Sequence, residues 1–123
     1  MQTLEQARAA HAWSKAQRCN DEYVKLAKGL PALIMNSGLM QVFAFLEEKG
    51  AKPSQHHCRD LSNHLRDWLR RRFAGTFTSD DFPTFMTALM DADPRTFQAI
   101  TAEAFAWLRW MRQMAAASRA GGH

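Results

Sequence analysis

The sequence predicts an all-α fold: a compact single-domain helical bundle of about six helices with a long C-terminal helix. Three observations carry this. Apolar residues recur at helical spacing along most of the chain, and no stretch alternates at period two for long enough to demand a strand. Ala, Leu, Met, Arg and Gln are abundant while Val and Ile are scarce, a balance that favours helices. The 123 residues (1–123) fit one domain and suffice to bury a core.

Each element has legible signals. Thr3 with Gln6 three residues later is a capping-box pattern that opens the first helix. Its apolar contacts are small alanines plus Trp13, and Arg8, His11, Lys15 and Arg18 align along one side. Asn20-Asp21 caps a second helix, Glu22 to about Lys28, which Gly29 ends. Pro31 then starts a short helix over 31–37, with Leu30, Leu33 and Ile34 turned inward. Gly38 breaks it and a further helix runs over 39–49, with Leu39, Val42, Phe43 and Leu46 at i, i+3, i+4 and i+7. The stretch Leu30 to Gly50 is the longest apolar run and the expected centre of the fold.

After a linker, Pro53-Ser54 begins a helix from about Ser54 to Arg72. Leu61, Leu65, Trp68 and Leu69 make its apolar face, and Arg59, Asn63, Arg66 and Arg70 share another side. Phe73 to Thr78 reads as a loop around Gly75. Thr78 or Ser79 caps the next helix, with Asp80-Asp81 in its first turn. Asp93 and Pro94 open the last helix, which can run to about Arg119. Its inner stripe is Phe97, Ile100, Ala104, Trp107 or Leu108, Met111 and Met114 or Ala115. The tail 118–123 is expected to be disordered.

Composition excludes several function classes. No apolar run approaches the roughly 18–20 residues that span a bilayer, so no membrane partner is expected. The start MQTLEQARAAHAW lacks the features of a signal peptide, which points to a cytoplasmic location. Two cysteines, Cys19 and Cys58, fit reduced thiols there. Net charge is +4, but unevenly spread. Segment 51–75 holds six basic and two acidic residues, 76–107 one basic and five acidic, and 108–123 three basic and none acidic. Such asymmetry suits an oriented surface with a polyanion on one side.

No chemistry-bearing constellation emerges. His56, His57 and His64 with Cys58 invite a metal, and with it a metal-dependent hydrolase, but neither CxxC nor HExxH spacing occurs. There is no P-loop, GxGxxG or GxSxG. Neighbouring Cys58 and His57 point apart on a helix. No enzyme activity, cofactor, metal or small-molecule substrate is therefore expected. The stripes Arg8–Lys15–Arg18, Arg59–Arg66–Arg70 and Arg109–Arg112 (with Trp110 close by) are the better signal, because Arg forks hold phosphate oxygens without reading sequence. A small helical DNA-binding regulator would use the same stripes, although the Gly38 turn joins two apolar helices and not a helix-turn-helix.

Three stretches in order carry a resemblance: LPALIMNSGLMQVFAFLEEKG at 30–50, HCRDLSNHLRDWL at 57–69 and DADPRTFQAITAEAFAWLRWMRQMA at 91–115. Together they resemble the small helical subunit of the Cmr complex, the type III-B CRISPR effector, over roughly 24–115. The resemblance implies a non-catalytic all-α subunit of an antiviral ribonucleoprotein. Its implied partners are other Cmr complex subunits, further copies of itself, guide RNA and target RNA. Arg112 carries over by position as an RNA contact. Arg8, Lys15, Arg18, Arg66 and Arg70 are added from the facing stripes.

Overall fold

The computed structural model describes residues 1–121, which form six α-helices and no strand. They are α1 Leu4–Ala16, α2 Asp21–Ser37, α3 Leu39–Lys49, α4 His56–Arg72, α5 Phe82–Asp91 and α6 Pro94–Ala120, with one turn of 3-10 helix at Pro53–Gln55 before α4. The 27 residues of α6 make a rod about 40 Å long. Helices α1, α2 and α4 pack around it, while α3 lies on α2, α4 and α5. No helix among the described residues is long and apolar enough to cross a membrane.

The core follows the helical spacing. On α6, Ile100, Ala104, Trp107, Leu108, Met111 and Ala115 are buried. Leu39, Val42, Phe43 and Leu46 of α3 and Leu61, Leu65, Trp68 and Leu69 of α4 are buried with them. The loop after α4 is tied down by Phe77, which stacks on Phe85 at 4.1 Å, and Phe85 meets the edge of Phe43 at 5.2 Å. That aromatic chain fastens the short α5 to α3.

Caps explain where helices start. Thr3 and Gln6 form the reciprocal capping box on α1. Asn20, Asp81 and Asp93 each accept the amide three residues on, opening α2, α5 and α6. The onset of α5 thus falls at Phe82, later than the expected cap at Thr78 or Ser79, and Asp80-Asp81 precede the helix. Asp81 takes the cap because its carboxylate also accepts from Ser79 Oγ, which holds it in place.

The expected break at Gly29 does not occur: α2 runs unbroken through Gly29 and Pro31. Tyr23, Ala27, Leu30 and Ile34 lie at i, i+4, i+7 and i+11 and all four are buried. Burying Leu30 and Ile34 contributes about 1.5–3 kcal/mol each. That offsets about 1 kcal/mol for the glycine and about 3 for the interior proline. The true break is Gly38, whose φ of 86° strongly favours glycine. Four further expectations are corrected. Leu33 is 39% exposed, because one residue before Ile34 it turns off the buried face, and Trp13 is 43% exposed. The α4 helix begins at His56, preceded by the 3-10 turn. The C-terminal segment is helical through Ala120, with Ser118 buried, so the expected disorder does not hold for 118–120; Gly122 and His123 lie outside the described residues.

Candidate nucleic-acid interface

The basic stripes do not all face solvent. Two carboxylates gather three of their cations, Arg8, Lys15 and Arg70, together with Arg71 and Arg72. Glu103, 5% exposed in the middle of α6, accepts from Arg8 Nε at 2.6 Å and Nη2 at 2.9 Å. It also accepts from Trp68 Nε1 at 3.0 Å and Arg72 Nε at 3.3 Å. Arg8 is therefore a tie between α1 and α6. Burial pushes the Glu103 carboxyl up, but the hydrogen bonds from Arg8 and Trp68 and the positive charge of Arg8 and Arg72 bring it below the usual glutamate value.

Asp67 on α4 is the second hub. It accepts from His11 Nε2 at 2.8 Å and lies 3.0 Å from Arg71, 3.3 Å from Arg70 and 3.9 Å from Lys15. His11 sits between Trp68 and Trp107, and Trp107 Nε1–H donates to its Nδ1 at 2.9 Å. Because Nδ1 accepts, the proton of neutral His11 is on Nε2 and is donated to Asp67. Burial, the largest influence, lowers the His11 pKa despite that carboxylate. Burial also pushes Asp67 up, and His11, Arg71 and Lys15 bring it below its ordinary value.

Arg66 is corrected outright as a surface contact. It is 4% exposed, donates to Ser62 Oγ at 3.2 Å, to Asn63 Oδ1 and to the Asp80 carbonyl, and lies over the Phe82 ring. Its work is to pin the loop before α5 onto α4. Arg70 is partly exposed but shared between Asp67 and Asp80. Of the six sequence candidates, Arg18 and Arg112 are exposed and carry no ion pair among the described residues. Arg8, Lys15 and Arg70 are engaged by acids.

The stripe cations without an ion pair line two separate grooves with no lining residue in common, Arg109 and Arg112 one and Arg18 the other. Between α2 and α6, Phe105, Arg109 and Arg112 of α6 face Pro31 and Met35 of α2. Phe105, Arg109 and Arg112 stand at i, i+4 and i+7, so they form one stripe. Met35 is 79% exposed. The arrangement offers two guanidiniums beside an apolar floor, which suits a phosphate chain with bases or side chains lying against it. Trp110, which the sequence places beside these cations, donates its indole N–H to Glu5 and so ties α6 to α1. The second groove joins α1, α2 and α4, and holds Lys15 and Arg18 with Tyr23, Asp60 and His64.

Other sequence candidates find local roles. His64 Nδ1 is 2.8 Å from the Tyr23 hydroxyl. The exposed side of α3 is Met40, Gln41, Ala44, Phe45, Glu48 and Lys49, which is not the polar surface a DNA-reading helix needs. Sequence reasoning missed Phe105 and Met35 beside the cations. Phe105 could have been found four residues before Arg109; Met35 could not, since its place depends on α2 being continuous. The Glu103 hub had a signal too, as it is the only acid between Pro94 and Ala120.

The fold and its ion-pair hubs define a small all-α protein whose helices are locked by charge as well as by packing. The family model described as CRISPR-associated protein (Cas_Cmr5) matches residues 4–118, from the start of α1 to the last turn of α6. The chain belongs to that family, the small subunit of the Cmr complex. A comparison with curated proteins finds no match.

Proposed function

We propose that the chain is the non-catalytic small subunit of a type III-B CRISPR ribonucleoprotein. In this reading it supports guide RNA and its pairing with target RNA, and helps the complex assemble, in cytoplasmic antiviral defence. Its partners are other Cmr complex subunits, further copies of itself and the two RNAs. The family match over nearly the whole chain is the observation that carries this reading. The α2–α6 groove supplies the surface: Arg109 and Arg112 are exposed and have no acidic partner among the described residues. Contacts there would be to phosphates, hence independent of sequence and sensitive to salt. One subunit contributes few contacts, and several copies along one strand would multiply them.

Affinity purification of the tagged chain from its native cells tests the assignment. Cmr subunits and short guide RNAs should co-purify. Recovery of the chain alone, or with double-stranded DNA and no guide RNA, would refute it.

A further inference from the structure

The groove between α1, α2 and α4 has a chemistry of its own. It encloses about 330 Å³ and is lined by Ser14, Lys15, Gln17, Arg18, Cys19, Tyr23, Asp60 and His64. That space is near the lower end for small-ligand sites and fits about one nucleotide. Its floor is a fixed hydrogen-bonded pair. The buried Tyr23 hydroxyl has His64 Nδ1, 2.8 Å away, as its one hydrogen-bond partner among the described residues, and its O–H donates there. Accepting at Nδ1 leaves the proton of neutral His64 on Nε2. Nε2 has no hydrogen-bond partner among the described residues, and it is not a buried orphan, so solvent reaches it. The rim adds the exposed Arg18, and Lys15 held only loosely, 3.9 Å from Asp67. One carboxylate, Asp60, stands exposed among these donors.

We infer that this groove binds one ribonucleotide unit of single-stranded RNA: Lys15, Arg18 and the His64 Nε2–H hold a backbone phosphate, and Asp60 accepts the ribose 2′-hydroxyl. The combination is specific. A phosphate alone would be served by the cations and repelled by Asp60. A ribonucleotide presents both an anion and a donor hydroxyl, and the 2′-OH is what distinguishes RNA from DNA. Tyr23 is a positioning residue here, since it sets which His64 nitrogen carries the proton. The inference rests on the RNA-supporting role proposed above, and it assigns to this groove a preference for ribose that phosphate contacts alone lack.

The test has two parts. In the first, Cmr complex assembled with the full chain, guide RNA and target RNA carrying 4-thiouridine is irradiated, and cross-linked peptides are located by mass spectrometry. Cross-links should fall within residues 14–23 or 60–64, and cross-links confined to other segments would overturn the inference. In the second, the full-length chain is titrated with a uridine oligomer and its deoxy counterpart at one low salt concentration. RNA should bind about fivefold or more tighter than DNA, and Asp60→Asn should remove that preference. His64→Asn keeps an acceptor for the Tyr23 hydroxyl but loses the outward N–H, so it should weaken RNA and DNA alike by about threefold to tenfold. Equal RNA and DNA binding by the unsubstituted chain, or wild-type behaviour of both variants, would refute the subsite. If Arg109→Ala/Arg112→Ala still weakens RNA binding in that case, the wider reading survives. If that pair has no effect either, the wider reading fails as well.

Discussion

Glu103 shows how one side chain can redirect a surface. Without it, Arg8 and Arg72 would be solvent cations; with it, they become struts between α1, α4 and α6. Replacing Glu103 by Ala leaves the buried Trp68 N–H unpaired and releases two guanidiniums that had been held together. The expected loss is about 2–4 kcal/mol, read from urea unfolding. A change below about 1 kcal/mol would show that the hub is decorative. His64 gives a pH signature. Burial is the main cause, with Lys15 and His11 adding to it, of a pKa lowered from 6.5 to about 4. A base with a lowered folded pKa binds its proton more readily when unfolded. Its stabilising share is therefore complete above pH 6.5 and is lost as pH falls towards 4. His64→Asn should flatten stability across that window by up to about 2 kcal/mol, the ring's contact with solvent trimming the full shift. Glu103 and Asp67, both lowered, lose their share further down, as pH drops through their folded values. An identical pH profile in the variant would contradict the assignment.

Among the elements, the junction of α3 and α4 is the least forgiving. A Cβ at Gly50 would lie 2.7 Å from both Cβ and the backbone nitrogen of Arg59 and 2.9 Å from the Leu46 carbonyl oxygen. Two of those three atoms are backbone and cannot swing away. Gly50→Ala should therefore force the helices apart and cost about 1–3 kcal/mol in thermal or denaturant unfolding. Helix α2 makes a paired prediction. Leu30→Ala should cost about 2–5 kcal/mol, and Leu33→Ala less than about 1. Similar losses at both would mean that α2 is rotated from the orientation described. These same elements show what was legible beforehand. The faces of α3, α4 and α6 could be read because side-chain spacing alone decides which residues a helix buries. The continuity of α2 could not, because local propensity at Gly29 and Pro31 argues for a break and only tertiary burial of Leu30 and Ile34 overrides it. Leu33 was misplaced for the same reason, one position off the true face.

For the whole molecule, the distribution of charge decides what the protein can touch. The basic stripes were legible as spacing, but spacing does not tell which acid each cation meets across the fold. Arg8 and Glu103 are 95 residues apart in the chain, and His11 and Asp67 are 56 apart. Nothing local announces such pairings. Once they are accounted for, the cations of the basic stripes left without an ion pair among the described residues are Arg18, Arg109 and Arg112, and the last two share one groove. The proposed role beside RNA would use this remaining surface. The most direct measurement is the salt dependence of target-RNA binding by assembled Cmr complex, with the unsubstituted chain and with Arg109→Ala/Arg112→Ala. Comparing the two cancels the salt response of guide–target pairing. If both guanidiniums neutralise phosphates, the log–log slope should become shallower by about 1.4–1.8 for each copy that contacts RNA. An unchanged slope and affinity, with the variant folded and incorporated, would contradict the account.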